Sequence, residues 1–204
     1  MAWYQNRTGL TLVGGGLEPP VSAWADSSGN GYDMVQATLS EQPVYEVSTG
    51  ELSFISANIQ NLQTSGTQIS LTGDFTIGLK ITTSTTNGAF LADNTTANEY
   101  FKYSSASRIS FKIAGSTSKN LDLDSGVFGD DYIVITRVSD VLTLWKNGIA
   151  QTGTVTLAGT SLIDVIGLRR DDGNAFEGQI AEIQIYSSSE ERLTIKVNER
   201  LKSL

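Results

Sequence analysis

The chain has 204 residues, enough for one domain with a hydrophobic core of its own. Lys and Arg number 14 and Asp and Glu 22, a net charge of −8 that excludes the broad basic surface of a nucleic-acid binder. Histidine and cysteine are both absent, which excludes Ser-His-Asp and Cys-His catalysis, imidazole and thiolate metal sites, and disulfides.

The start, Met1 to Arg7, lacks the basic-then-apolar pattern of a secretory signal. No run approaches the ~20 apolar residues of a membrane helix, so no membrane insertion is expected. Trp3, Tyr4, Leu10, Leu12 and Val13 make the first thirteen residues too apolar for a solvated tail. Gly14-Gly15-Gly16-Leu17-Glu18-Pro19-Pro20 then reads as a flexible-then-stiff linker. Residues 1–20 are expected as an arm and linker, and 21–204 as the folded domain. Trp3, Tyr4, Leu10 and Leu12 are candidate contacts to a second copy or a larger assembly, because aromatic side chains are enriched in interface cores. The alternative is an edge strand added to the chain's own sheet.

Beyond the linker the period is two. In Phe75–Thr82, Phe75, Ile77, Leu79 and Ile81 point one way and Thr76, Lys80 and Thr82 the other, which predicts a strand with one buried face. Arg108–Ile113 alternates likewise. Asp131–Arg137 is β-branched and reads as partly buried on both faces. Val141–Lys146 follows a Ser139-Asp140 turn. Asn147-Gly148 then signals a tight hairpin, since both residues tolerate positive φ. Leu162–Ile166 and Gly178–Tyr186 complete the strands. Turn-rich segments separate them without helices, which predicts an antiparallel sandwich. One helix is predicted at the C-terminus. Ser187 and Ser188 each precede a glutamate by three residues, as in a capping box, and Leu193, Val197 and Leu201 form an apolar stripe.

Several segments together resemble the laminin-G-like, or concanavalin A-like, jelly-roll family. Trp24-Ala25-Asp26-Ser27-Ser28-Gly29-Asn30-Gly31 is similar to that family's W-x-D-x-SGNG loop. Leu142–Gly148 is similar to its hairpin ending in Asn-Gly. Ile166–Arg170 and Phe176–Tyr186 resemble its G-x-I-x-E-I-x-I-Y strand. The resemblance spans residues 21 to 201. One departure is Phe54-Ile55-Ser56, where the family often has Phe-Asp-Gly with an acidic residue. The resemblance implies an all-β fold, a concanavalin A-like jelly-roll sandwich of two antiparallel sheets with one C-terminal α-helix. It implies less about activity, because this fold hosts lectins, hydrolases, lyases and structural domains. Bacteriophage virion proteins are among its settings. The acidic, Cys-free composition and the absence of a signal fit a virion component.

Glycoside hydrolysis needs two carboxylates flanking the scissile bond. One branch of the fold carries them as E-x-D-x-E on one strand. Here the nearest match is Glu182-Ile183-Gln184-Ile185-Tyr186, with one carboxylate only. Glu182 is expected as an outward or edge residue of a terminal strand, and no catalytic residue is predicted. Asp26 and Asn30 offer oxygen atoms at alternate positions, so a calcium ion is one reading and a hydrogen-bonded turn the other. An EF-hand is excluded, because Ala37 stands where its glutamate would be. Asp171-Asp172-Gly173-Asn174 is a second acidic loop. Sugars stack on exposed rings, for which Tyr32, Tyr100, Tyr103 and Trp145 are candidates; Trp24 and Tyr45 are expected in the core. Two functions from different classes follow, with a glycan-active enzyme as a third reading behind them. One is a non-catalytic virion structural protein, located in the virion as a decoration, fibre or tail component, with other virion proteins or itself as partner. The other is a carbohydrate-binding module for a surface glycan.

Overall fold

The computed structural model describes residues 1–64, 66–83, 86–95, 99–169 and 174–204. In chain order the strands are β1 (Ala2–Tyr4), β2 (Leu10–Leu12), β3 (Val21–Trp24), β4 (Met34–Val35), β5 (Val44–Glu46), β6 (Glu51–Phe54), β7 (Leu62–Thr64), β8 (Ile69–Leu71), β9 (Phe75–Thr83) and β10 (Ala89–Ala92). There follow β11 (Tyr100–Ser105), β12 (Arg108–Lys112), β13 (Lys119–Asp122), β14 (Asp130–Val138), β15 (Val141–Lys146), β16 (Ile149–Thr156), β17 (Ser161–Ile163), β18 (Val165–Ile166) and β19 (Gly178–Tyr186). The helix α1 (Glu191–Lys202) ends the chain.

Two large antiparallel sheets face each other. The first, of eight strands, runs β16-β15-β14-β9-β19-β6-β5, with β1 also paired to β19; the second, of nine, runs β13-β12-β11-β10-β18-β7-β4-β3-β2. A short β8–β17 ribbon completes the set. The inward residues of both sheets form one apolar core, including Ile77, Leu79, Ile133 and Ile183 from the first and Phe101, Tyr103, Ile109 and Phe111 from the second. Arg137 also lies fully buried. Its guanidinium stands 4.7 Å from the Phe75 ring centre and donates to the carbonyls of Leu71, Gly73 and Gly159.

The Asn147-Gly148 hairpin forms as predicted, with φ of 51° and 79°. Ser139 and Asp140 turn the same way at 47° and 66°. Three expectations need correction. The first is the single buried face of β9. Thr76 and Gly78, on its outer side, are buried as well, because α1 lies over them. A Cβ on Gly78 would stand 2.3 Å from Val197 Cγ1, so the absent side chain is what lets the helix approach.

The second is the capping box. The helix starts after Glu190, which makes no side-chain cap bond. The Ser188 carbonyl instead accepts a hydrogen bond from Thr76 Oγ1 at 2.8 Å. The apolar stripe does face the sheet, through Val197 and Leu201, with Thr194 buried and Leu193 half-buried beside them.

The third is the division at residue 20. Ala2 and Tyr4 are fully buried, and β1 pairs with β19 from Ala2↔Ile185 to Tyr4↔Ile183. The reason is a vacant edge: β6 pairs with β19 only over Gly178–Ile180, which leaves the backbone groups beyond it open to another strand. β2 likewise joins β3 in the second sheet. The edge-strand alternative therefore describes this segment.

Gly78→Ala is expected to cost about 1–3 kcal/mol through overpacking beneath α1. Combined with Val197→Ala, the losses should fall short of additivity by at least about 0.5 kcal/mol. Thermal melts of the two single variants and the double variant check this; additive losses would mean that the helix does not rest on Gly78.

Candidate functional site

Helix α1 covers only part of the first sheet's outer face. Beside it, over β14 and β15, lies a groove of about 590 Å³. Strand alternation builds its floor. Ile133 and Ile135 of β14 point into the core, so Tyr132, Val134 and Thr136 point out; Leu142 and Leu144 of β15 point in, so Thr143 and Trp145 point out. Thr194, Asn198, Glu199 and Lys202 of α1 form the wall.

The hairpin turn fixes the floor's end. Asn147 Oδ1 accepts the Tyr132 N–H at 3.0 Å, and Asn147 Nδ2 donates to Asp131 Oδ1 at 2.7 Å. Gly148 matters because a Cβ there would come within 3.2 Å of the Tyr132 hydroxyl oxygen. Two buried polar atoms on the lining residues have no hydrogen-bond partner among the described residues: the donor Trp145 Nε1 and the acceptor Asn198 Oδ1. Two half-buried aromatic rings, a donor, an acceptor and threonine hydroxyls suit a ligand that presents apolar faces and hydroxyl groups together.

Glu182 points outward, opposite to the core residues Ile183 and Ile185, but it is not an edge residue. It is fully buried on β19, an inner strand flanked by β9 on one side and by β6 and β1 on the other. Its carboxylate accepts Trp3 Nε1 at 3.0 Å, Asn6 N at 3.2 Å, Gln184 Nε2 at 2.8 Å, and Arg200 Nε and Nη2 at 3.1 and 2.7 Å. Tyr186 donates in turn to Gln184 Oε1 at 2.8 Å. Burial alone would raise the Glu182 pKa, but the bonds from Arg200, Trp3 and Asn6 outweigh it and hold the carboxyl below its ordinary range. All three side chains of the Glu-x-Gln-x-Tyr run are thus engaged within the protein.

At Asp26 and Asn30 the structure forms the hydrogen-bonded turn. The Asp26 carboxylate accepts Trp3 N and Ser28 N at 2.9 Å, Ser28 Oγ at 2.8 Å and Tyr32 N at 3.3 Å. Asn30 Nδ2 donates to Met1 O and Ser28 Oγ, both at 2.9 Å. These bonds make the loop a hydrogen-bonded turn that anchors the N-terminus. Burial works against ionisation of Asp26, yet these bonds hold its pKa below the ordinary value.

The other candidates scatter. Tyr103 is 1% exposed and packs among Phe90, Phe128 and Phe176 in the core. Tyr100 is 6% exposed, its hydroxyl bonded to Ser118 Oγ. Neither offers a free face: Tyr103 lies among core rings, and Tyr100 packs with Ala92, Val165 and Leu168 beneath Lys102 and Arg169. Tyr32 packs half-buried on the core, and its carbonyl takes the Tyr4 hydroxyl at 2.6 Å. The Trp3 indole is held by Glu182, Leu10 packs on the core, and Leu12 is exposed at the sheet edge. Trp24 is core, as expected, with Tyr45 packed against it. The acidic loop at 171–173 lies outside the described residues. Of the four predicted rings, Trp145 lines the groove. Tyr132, absent from that set, joins it; its signal was the outward parity of β14 next to the Asn-Gly turn.

No protein-family profile and no curated protein sequence matches the chain. Solved structures do. A native heptameric SAP-like pentraxin from Limulus polyphemus aligns with a TM-score of 0.55 at 14% identity, over 74% of this chain and 79% of its own. Trypanosoma rangeli sialidase in complex with sialic acid aligns at 0.54 and 12% identity, over 92% of this chain but 31% of its own. The same sialidase with a difluoro-KDN ligand aligns at 0.54 and 10%, over the whole chain and 32% of its own. The chain thus spans about a third of the sialidase length. These likenesses establish the fold, a concanavalin A-like jelly-roll sandwich with one C-terminal helix. Among the described residues no helix is long and apolar enough to cross a membrane.

Glu182→Gln is expected to destabilise the protein by about 3 kcal/mol, the low end for breaking a buried pair, because the Arg200 side chain is 37% exposed. For a domain of this size that is a loss of roughly 6–12 °C in melting temperature. Both Glu182 and Asp26 have depressed pKa values in the folded state. Their stabilisation is therefore complete above the unfolded values, near about 4, and is lost as pH falls through the folded ones. Melting temperatures between pH 6 and pH 2 should drop steeply below about pH 4, and less steeply in Glu182→Gln. An equal acid slope in both proteins would remove Glu182 from this role.

Proposed function

We propose that the protein is a non-catalytic, lectin-like carbohydrate-binding module whose ligand lies in the groove between α1 and the β14–β15 hairpin. The observation that carries this reading is the pairing of the Trp145 and Tyr132 rings with an indole N–H and an Asn198 carbonyl oxygen that the protein itself leaves unbonded. A pyranose has apolar C–H faces to lay on rings and hydroxyls that both donate and accept. The jelly-roll fold is compatible with this use without implying it.

The groove does not favour hydrolysis. Its two carboxylates, Glu191 and Glu199, lie on one helix eight residues apart, about 12 Å along the axis. Glycosidase pairs stand about 5–9.5 Å apart. A structural role in a virion, expected from the resemblance, has no comparable observation behind it, and the groove supports the binding module.

A glycan array is expected to show a defined saccharide bound with micromolar affinity. Trp145→Ala should weaken that binding by at least about tenfold. Trp145→Phe, which keeps a ring and removes the N–H, should lie between the two. Circular dichroism melts confirm that both variants fold. A blank array, or binding indifferent to Trp145, would end this reading.

A further inference from the structure

The outer face of the second sheet carries a different chemistry. β11 sends Phe101 and Tyr103 into the core and Tyr100 and Lys102 outward; β12 sends Ile109 and Phe111 inward and Ser110 and Lys112 outward. The register sets Lys112 opposite Tyr100. Arg169, just past β18, reaches the same tyrosine from the other side of the sheet order. Lys102 Nζ lies 5.1 Å from the Tyr100 ring centre, and the Arg169 guanidinium carbon 5.4 Å.

Two cations therefore share one ring on a chain of net charge −8, and neither meets a carboxylate among the described residues. Lys102 donates to two neutral amides, Asn87 Oδ1 at 2.7 Å and Asn174 Oδ1 at 3.1 Å. Arg169 makes no hydrogen bond or ion pair among the described residues, and its Nε is buried without a partner. Among the described residues, Asp122 pairs with Arg108 at 2.7 and 3.1 Å, and Glu99 accepts the Leu162 N–H at 2.9 Å. Burial, and then the charge of Arg169, lowers the Lys102 pKa.

Leaving a guanidinium partly desolvated and unbonded is costly, and an oxyanion is the group that relieves it. A carboxylate or sulfate accepts the forked N–H groups of arginine and the ammonium of lysine at once. We propose that Lys102 and Arg169 form an oxyanion-binding cradle over Tyr100, distinct from the groove at α1, that takes the carboxylate or sulfate of an acidic saccharide. The cradle follows from the unpaired cations alone; naming a saccharide as the carrier rests on the carbohydrate-binding reading.

The test uses the full chain and two probes. The first is inorganic sulfate at low millimolar concentration, with chloride at matched ionic strength, read by melting temperature. The second is a glucuronate-containing oligosaccharide and its carboxyl-reduced neutral counterpart, read by calorimetry. Sulfate should raise the melting temperature of the native protein more than that of Lys102→Gln or Arg169→Gln. The comparison between variants removes the general stabilisation that sulfate gives by exclusion. The acidic oligosaccharide should bind about tenfold or more weakly to either variant, and undiminished to Trp145→Ala. Lys102→Gln, at a half-buried position, serves if Arg169→Gln fails to fold. Equal sulfate responses in native protein and variants would overturn the cradle. A sulfate response that depends on both cations, with no preference for the acidic over the neutral sugar, would overturn the saccharide assignment and leave a site for a free oxyanion. Loss of acidic-sugar binding in Trp145→Ala would return the ligand to the groove.

Discussion

The buried carboxylate of Glu182 sets where both ends of the chain lie. It takes five hydrogen bonds, from residues 3, 6, 184 and 200. Removing a carboxylate from water is expensive unless a cation and several donors replace the lost hydration. Arg200 supplies the cation through two N–H groups in a fork, a geometry that lysine lacks. Trp3 and Asn6 supply donors from the first strand and the turn after it. One side chain thus ties β1 to β19 and α1 to both. Apolar contact alone, Val197 and Leu201 against Val134, would hold the helix to the sheet with less definition of where along it the helix sits.

The position of α1 then determines what remains uncovered. Gly78 lets Val197 and Leu201 sink onto β9, which places the helix over the middle of the sheet. The outer face therefore divides into three zones. Over β19 lies the polar network of Glu182, Gln184 and Tyr186. Over β9 and β14 lies the apolar contact. Over β14 and β15, past the helix, Tyr132 and Trp145 have a wall on one side and open space above. The groove is a consequence of how closely the helix can approach at a single glycine.

The strands could be read from the sequence because burial on one face imposes a period of two, and the Asn-Gly hairpin because positive φ at both positions restricts the residue type. The helix stripe was readable for the same kind of reason. What a third layer adds was not. Thr76 and Gly78 carry no sign that a helix covers them, and Glu182 looks like any polar residue on an outer face until Arg200 and Trp3, far away in sequence, are set beside it. The tyrosines show the same limit. Parity assigns Tyr103 to one face and Tyr100 to the other, but whether a face is bare depends on neighbours that only the tertiary fold supplies. Trp145 was identified by residue type; Tyr132 stayed hidden because the adjoining Ile133–Thr136 run is β-branched and the strand reads as partly buried on both faces.

The two outer faces of the sandwich meet the same requirement differently. Polar groups near the protein interior must find partners, and each unmet one has a cost. On the first sheet the helix and the N-terminal segment supply them. On the second, neighbouring side chains pair among themselves: Arg108 with Asp122, Ser110 with Asn120, Tyr100 with Ser118. The same rule, applied across both faces, isolates the groups it fails to satisfy. Among them, in the described residues, are Trp145 Nε1 and Asn198 Oδ1 on one face and Arg169 Nε on the other. Folding explains the paired groups in full, since each contributes to holding a strand, a turn or the helix in place. The unpaired ones contribute nothing to the fold that an apolar residue would not. On the two proposals made above, the faces would take different ligands: a neutral hydroxyl-rich one at the groove, a negative charge at the cradle.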